Sequence, residues 1–453
     1  MTPRFGTDGI RGVANSELSP ELVLRLGRAA AHVLGRGAEE ARPTFLIGRD
    51  TRASSELLAQ ALAAGLASCG VDVVELGVVP TAAAALLCRD LGAAAGAIVS
   101  ASHNPAADNG VKFFARGGTK LTAADEEEIE RLLEAEEGRN PEDAGGLPRP
   151  IGGDVGRITM RPELAERYAE ILLATVDTGL DGLRVVVDAA NGAASVLGPE
   201  VLRRLGAQVE VRFAEPDGTN INEGCGATSP AALAAAVVES GADLGIAFDG
   251  DADRLIAVDH TGRVVDGDHI LAVCAIDLHA RGDLRGDAVV ATVMSNVGLE
   301  VLLRENGIGV LECPVGDRNV LLALEEHDLV LGGEQSGHVI FRHLSPTGCG
   351  LLTALQLLQV VRSSGASLAD LAGAMKSYPQ VAVAIPLDDR ARLDSATAFW
   401  DVVAATEADL GDSGRVVVRP SGTEPVLRVM VQAPSETAAG EAVERITSAA
   451  SVI

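Results

Sequence analysis

Aromatic residues are scarce in this chain: one Trp, two Tyr and eight Phe give 2% of 453 residues, in a sequence that is 47% apolar. Its cores must therefore be built from Ala, Val, Leu and Ile. Positive charge is scarce as well. Lys and Arg number 37 against 64 Asp and Glu, for a formal charge of −27. That imbalance excludes nonspecific nucleic-acid binding and docking to an anionic membrane surface. A small phosphorylated substrate stays open, because a local arginine cluster dominates at close range once salt screens the rest. Lysine is nearly absent, with only Lys112, Lys120 and Lys376. Inside a motif a lysine then draws notice, since its ammonium can shift its pKa and a guanidinium cannot. The six cysteines (Cys69, Cys88, Cys225, Cys274, Cys313, Cys349) contain no CxxC pair and read as buried small residues of a reducing compartment. Residues Met1 to Gly6 hold no apolar signal core, and no apolar run reaches the length of a membrane span. A cytoplasmic protein is expected.

Glycine, by contrast, is abundant at 51 residues and suggests many tight strand-to-helix turns. The length sets a prior of about three domains. Strand-like runs at Thr44 to Gly48, Val71 to Leu76 and Ala95 to Ser100 alternate with helical patterns at Ser54 to Ala67 and Thr122 to Glu136. A Gly-, Pro- and charge-rich stretch over Glu137 to Gly156 reads as an exposed linker. Alternation resumes with strands at Arg184 to Asp188, Gln208 to Arg212 and Leu244 to Phe248. A third set runs from Asp266 to about Ser364. After Ser377-Tyr378-Pro379 the tail reads as a small α+β module, with strands near Val381 to Ile385, Val416 to Arg419 and Val426 to Gln432. Three α/β units plus a smaller C-terminal module is the expected architecture.

Asp249-Gly250-Asp251-Ala252-Asp253-Arg254 lies between two apolar strand-like runs and sets three carboxylates at alternate positions, able to converge on one point. Three close acids repel unless a cation sits between them, and hard oxygen donors select magnesium, manganese or calcium. A calcium loop is excluded, because its sixth and twelfth positions would be Arg254 and His260 in place of Gly and Glu. The bland alternative is a solvated acidic turn. Ser100-Ala101-Ser102-His103-Asn104-Pro105 follows a buried strand, where α/β proteins place ligand loops. It is also compatible with a plain polar loop. A Ser-His hydrolase is disfavoured, since no G-x-S-x-G elbow is present and adjacent Ser102 and His103 would point apart. Lys112 can return to the same place along the next strand.

Arg419-Pro420-Ser421-Gly422-Thr423-Glu424-Pro425, with Arg428 beyond it, has the make-up of an anion loop: two hydroxyls, free N–H groups and two guanidiniums for a dianionic phosphate. An ordinary turn would explain its Gly and Pro but not the arginines. Gly332-Gly333-Glu334-Gln335-Ser336-Gly337-His338 closes a strand with donors and acceptors suited to sugar hydroxyls, and His338 can transfer protons near neutral pH. Phe5-Gly6-Thr7-Asp8-Gly9-Ile10-Arg11-Gly12 reads as a glycine-punctuated turn presenting Arg11; it is not a dinucleotide fingerprint. Arg49-Asp50-Thr51-Arg52 reads as ion-pair scaffolding. With one or two motifs per unit, a single site must lie in a cleft where all the units meet.

Together, and in this order from Phe5 to beyond Arg428, the SASHNP, DGDADR, GEQSGH and RPSGTEP motifs resemble the α-D-phosphohexomutase superfamily. Residues Phe5 to Asn15, Asn220-Ile221-Asn222 with Cys225-Gly226, and Val315-Gly316-Asp317-Arg318 are similar to its phosphoglucosamine mutase branch. The resemblance implies four domains: I at 1–150 with a phosphoserine loop, II at 155–254 with a metal loop, III at 255–370 with a sugar loop, and IV at 376–453 with a phosphate loop and a TATA-binding-protein-like fold. It implies interconversion of glucosamine 6-phosphate and glucosamine 1-phosphate, upstream of UDP-N-acetylglucosamine, with phosphomannomutase or phosphoglucomutase activity as the alternative. Ser102 would be the phosphoserine, with Asp249, Asp251 and Asp253 on one magnesium ion that Ser102's phosphate completes. Arg11 and Lys112 would flank the transferring group, with Lys112 and then His338 as general-base candidates. Arg254, Glu334 and Ser336 would hold substrate, and Arg419, Ser421, Gly422, Thr423 and Arg428 the phosphate that is not reacting. A sugar 1,6-bisphosphate or phosphorylation of Ser102 would activate the enzyme. The superfamily also implies a homodimer through the first domain. Three positions depart from the branch: Asn319 for a usual Tyr, Ser229 for His and Cys349 for Asp.

Overall fold

The computed structural model describes residues 4–6, 8–36, 42–136, 147, 149–387, 393, 395–420 and 426–450. The first unit comprises β1 (Phe5–Gly6), β2 (Gly9–Val13), α1 (Pro20–Leu34), β3 (Thr44–Arg49), α2 (Ala53–Ala67), β4 (Asp72–Val78), α3 (Thr81–Leu91), β5 (Ala95–Val99), β6 (Asp108–Phe114), α4 (Ala123–Glu136) and β7 (Ile158–Met160). Its sheet runs β1-β2-β6-β5-β3-β4-β7. Helix α1 shows how locally the elements are specified: Ser19 caps it by accepting from Leu22 N at 3.2 Å, and Pro20 supplies a first position that needs no donor.

The second unit holds α5 (Leu164–Leu173), β8 (Arg184–Asp188), α6 (Leu197–Arg204), β9 (Gln208–Arg212), α7 (Ala231–Ser240), β10 (Leu244–Phe248), β11 (Leu255–Asp259) and β12 (Val264–Val265), with sheet order β12-β11-β10-β8-β9. The third holds α8 (Gly267–Arg281), β13 (Ala288–Thr292), α9 (Val297–Glu305), β14 (Gly309–Cys313), α10 (Asp317–Glu326), β15 (Leu331–Gly333), β16 (Val339–Phe341), α11 (Gly350–Ser364) and α12 (Leu368–Gly373), with order β14-β13-β15-β16. The fourth is an antiparallel sheet β17-β19-β18 carrying two helices: β17 (Gln380–Pro386), α13 (Thr397–Leu410), β18 (Arg415–Pro420), β19 (Val426–Gln432) and α14 (Glu436–Ala449).

One strand order recurs in the first three units. A first strand (β3, β8, β13) is flanked in parallel by a second (β4, β9, β14) and a third (β5, β10, β15). The third strand is followed by an antiparallel return (β6, β11, β16). The SASHNP, DGDADR and GEQSGH loops all occupy the link between third strand and return, beyond the carboxyl end of a parallel strand.

These sheets move three sequence expectations. The cut after Arg254 falls inside a sheet, because β11 is the return strand that pairs with β10 along its whole length. Strand β7, beyond the expected cut at 155, pairs with β4 of the first sheet. Phe5–Gly6 and Gly9–Val13 pair as antiparallel strands rather than forming a bare turn, and β2 pairs onward with β6. The expected linker lies largely at 137–146, outside the described residues. One apolar core runs from α3 through the second and third units to Met375, the first unit has another around Leu26, Leu58 and Val99, and the fourth has its own around Phe399, Val429 and Ile446. No helix among the described residues is long and apolar enough to cross a membrane.

Candidate active site

Ser102 follows the buried strand β5 with φ of 52°, a left-handed conformation that a serine adopts only when its surroundings impose it. Arg52, fully buried, imposes it. Its guanidinium donates to Ser102 O at 2.9 Å, Asn104 O at 2.8 Å, Asp108 O at 3.0 Å and Pro105 O, while Nε pairs with Asp50 Oδ2 at 2.8 Å. Asp50 also accepts from Ser100 Oγ at 2.7 Å, and Ser100 Oγ in turn accepts from Ser102 N at 2.9 Å. From the second unit, Asn222 Nδ2 donates to Ser102 O at 2.9 Å. The scaffolding expected of Arg49 to Arg52 is thus a cage for this loop, and it aims Ser102 Oγ at Asp249 Oδ2, 2.6 Å away.

Asp249, Asp251 and Asp253 are buried, and one oxygen from each lies within 4.8 Å of the others. Burial pushes the Asp249 carboxyl well up, and the charges of Asp253 and Asp251 add to the effect. Lys112 Nζ, on β6, meets Asp251 Oδ2 at 2.9 Å, Asp253 Oδ2 at 3.3 Å and Asp8 Oδ2 at 2.5 Å. Burial opposes the lysine's charge, but the three carboxylates outweigh it and raise its pKa well above the ordinary value. Asp253 moves the other way: burial opposes its ionisation, yet Lys112 and His338 hold it well down. Asp251 Oδ1 and Asp253 Oδ1 are buried with no hydrogen-bond partner among the described residues. Orphaned anionic oxygens beside a carboxyl that resists ionising fit a divalent cation, and the all-oxygen donor set selects a hard one.

Arg11 reaches the same centre, donating to Asp8 Oδ2 at 2.9 Å. Arg254 donates its backbone N–H to Asp249 Oδ1 at 3.2 Å, and its Nε is buried without a hydrogen-bond partner among the described residues. From the third unit, His338 Nδ1 lies 3.8 Å from Asp253 Oδ1, and its Nε2, 4.0 Å from Asp317 Oδ2, has no hydrogen-bond partner among the described residues. Burial disfavours an imidazolium here, but the negative charge of Asp253, with Asp317 beyond, lifts its pKa above the usual value. The ring lies against Gly348, where a Cβ would stand 2.2 Å from Nε2; any other residue there would displace it. Glu334 Oε1 accepts from Gly316 N at 3.0 Å, and Ser336 is exposed at the loop's tip.

Arg419 and Arg428 face each other across β18 and β19, and Arg419 is exposed. With Met294 of the third unit and Ala382, Ala384, Val417 and Met430 they line a cavity of about 330 Å³. Ser421, Gly422 and Thr423 lie outside the described residues.

Three residues that the sequence reading quoted without a role belong to the centre. Asp8 gathers Arg11, Lys112 and Lys120, the last at 3.3 Å. Lys120 also pairs with Asp317, joining the first unit to the third, and Arg318 repeats the join with Glu126 at 2.8 Å. Lys120 carried a signal, as one of three lysines. The departures serve local structure: Asn319 Nδ2 donates to Val315 O at 2.9 Å, Ser229 closes a turn onto Gly226 O at 2.9 Å, and Cys349 Sγ caps α11 and lies 3.3 Å from Tyr168 Oη.

Phosphoglucomutase/phosphomannomutase family models match the chain four times in order: alpha/beta/alpha domain I at residues 2–140, domain II at 166–262, domain III at 266–378 and the C-terminal domain at 382–449. The phosphoglucosamine mutase of Desulforudis audaxviator (strain MP104C) is 50% identical over 446 residues, covering 98% of this chain and 97% of that protein. The phosphoglucosamine mutase of Thermobifida fusca (strain YX) is 52% identical over 447 residues, covering 98% and 97%. A crystal structure of a phosphoglucomutase/phosphomannomutase family protein from Burkholderia thailandensis superposes with a TM-score of 0.79 at 25% identity, over 98% of this chain and 96% of that one. With all four domains matched in order and half of the residues shared with such relatives end to end, the chain belongs to the phosphoglucomutase/phosphomannomutase family, in its phosphoglucosamine mutase branch.

Proposed function

We propose that the chain is an isomerase that interconverts glucosamine 6-phosphate and glucosamine 1-phosphate through a phosphate on Ser102 and a 1,6-bisphosphate. The observation that carries the reading is Ser102 Oγ, held 2.6 Å from Asp249 Oδ2 in a buried centre fed by loops of three units. A phosphoryl group bonded to Oγ passes to the free hydroxyl of a sugar monophosphate: the new O–P bond forms as the Oγ–P bond breaks. The hydroxyl's proton goes to His338 Nε2, which is buried and unpartnered among the described residues, while the leaving Ser102 Oγ takes up one proton; the return transfer reverses both. Lys112 is ill suited to that task, because three carboxylates keep its proton in place; its charge instead balances the oxygens of the moving group, as does that of Arg11. A magnesium ion held by Asp249, Asp251 and Asp253 would supply further charge stabilisation to that group.

The bisphosphate then turns over within the cleft, and its other phosphate returns to Ser102 Oγ. Whichever phosphate is not reacting rests on Arg419 and Arg428, with Ser421, Gly422 and Thr423 completing the clamp. Arg254 binds substrate phosphate, while Glu334 and Ser336 take sugar hydroxyls. None of the six cysteines forms a disulfide, which supports the cytoplasmic reading.

Intact mass before and after incubation with glucosamine 1,6-bisphosphate tests the chemistry. One phosphate should be gained and map to Ser102, and its location elsewhere overturns the mechanism. Comparing kcat/KM for glucosamine, mannose and glucose phosphates tests the substrate: a better rate on either neutral sugar overturns the glucosamine assignment.

A further inference from the structure

The loop carrying Glu334 and the sheet carrying Arg419 and Arg428 belong to different units, and the first turn of α8 touches the support of both. Toward the loop, Gly267 N donates to Gln335 O at 3.0 Å, and Gln335 Nε2 donates to Asp266 Oδ2 at 3.2 Å. The approach is so close that a Cβ on Gly267 would lie 2.0 Å from Glu334 O. Toward the fourth unit, Asp266 Oδ1 takes His269 Nδ1 at 2.5 Å. A carboxylate only accepts, and Arg263, 3.2 Å from Nε2, only donates; the ring proton therefore sits on Nδ1 and Nε2 accepts from Ser377 Oγ at 3.2 Å. Beside it, Asp268 Oδ2 accepts from Asn296 N at 2.7 Å. The Asn296 amide clamps Tyr378 in both senses, donating to its O at 3.0 Å and accepting from its N at 2.9 Å. Ser377 and Tyr378 form the joint that leads into β17.

A small turn at that joint would displace the clamp by way of the fourth sheet. Arg415 faces Gln432 and Arg419 faces Arg428 across β18 and β19, all on one face by strand alternation. At one end Arg415 and Gln432 hold Ser295 O at 3.0 and 3.4 Å, and Gln432 accepts from Val297 N at 2.8 Å. The arginine pair stands four residues along, roughly 13 Å away at the rise of a strand.

We propose that Asp266, His269 and Asn296 are positioning residues for the phosphate clamp: they tie the sugar loop at Gln335 to the Ser377–Tyr378 joint, so that the seating of the loop sets the angle of Arg419 and Arg428. The inference rests on the mutase reading of those two arginines. Ser377→Ala cuts the joint end and Gln335→Ala the loop end, each in the full-length enzyme. With glucosamine 6-phosphate, each variant should raise KM about threefold to tenfold, the worth of one hydrogen bond. Each should also make the rate depend on added glucosamine 1,6-bisphosphate, because the intermediate escapes from a poorly aimed clamp. The double variant should be no worse than the worse single one, and Ser377→Thr, which keeps the hydroxyl, should behave as the parent. Effects that multiply, or a lowered melting temperature with KM and bisphosphate dependence unchanged, overturn the relay. If Gln335→Ala does not fold, the Ser377 pair decides: bisphosphate dependence in Ala but not in Thr supports the relay, and equal behaviour overturns it. A parent protein inert toward glucosamine phosphates would overturn the functional reading instead, before any variant is made.

Discussion

The two ends of the cleft are built on opposite principles. Around Ser102 the loop conformation is fixed by Arg52, Asn222 and Ser100, and Ser102, Lys112, Asp249, Asp251 and Asp253 are all buried, over the first unit's own core and one shared by three units. At the other end Arg419 is exposed on a three-stranded sheet whose core is separate. The difference follows from what each end must do. In the proposed mechanism the same bond is made and broken at Ser102 in both half-reactions, so a fixed, dry geometry serves both. The proposed clamp must accept either phosphate of a turning intermediate, and a separately cored unit can do so.

The largest effect tests the buried end. Ser102→Ala should leave fold and melting temperature nearly unchanged, remove phosphate uptake seen by intact mass, and lower kcat about 10⁴-fold or more, as loss of a nucleophile does. A residual rate near the parent's would mean that the group-transfer residue lies elsewhere. Arg52→Lys comes next. An ammonium cannot reach Asp50 and four carbonyls at once, so the loop should relax out of the left-handed turn. A shift of about 1 Å in Oγ would cost about 10²-fold in kcat, read by steady-state assay, while KM changes little. Were KM to rise instead, the cage would be acting on binding and not on aim.

Arg428→Ala sharpens the contrast from the exposed side. Losing a charged hydrogen-bonding partner of the idle phosphate should raise KM about 10- to 100-fold, with phosphorylation of Ser102 by bisphosphate still complete at saturation. A fall in kcat at unchanged KM would contradict the division of labour between the two ends.

How much of this was legible in the sequence depends on range. The motif loops stood out because each brings its chemistry within a few consecutive residues at the end of an apolar run. The join through Asp8, Lys120 and Asp317 did not, since its members are 112 and 197 residues apart and only folding brings them together. Helix α3 had no amphipathic period to find, because Thr81 to Cys88 are buried on every side. The domain cut at Arg254 followed the motif's last residue, whereas the sheet continues through the return strand β11, as in each of the three units. The pairing of β1 with β2 was hidden by its glycines, which read as turn formers although Gly6 and Gly9 pair with each other.

The smallest effect on turnover concerns the joint between the two ends. Asp268 is buried with no exposed surface, and burial, with the charge of Asp266 behind it, raises its pKa from 3.8 to about 7, against the lowering effects of Asn296 N–H, Ser295 and His269. Below about pH 4 the carboxyl is protonated in both folded and unfolded chains and makes no difference to stability. Between about pH 4 and 7 the folded protein keeps a proton that the unfolded chain has lost, so stability falls as pH rises through this window, and the full cost is present above pH 7. Asp268→Asn keeps an oxygen for Asn296 N, 2.7 Å away, and removes the charge. The variant should match the parent in thermal unfolding near pH 3.5 and exceed it at pH 8 by about 2–4 kcal/mol. A gain of the same size at both pH values would mean that packing, not the charge of Asp268, sets the strength of the joint.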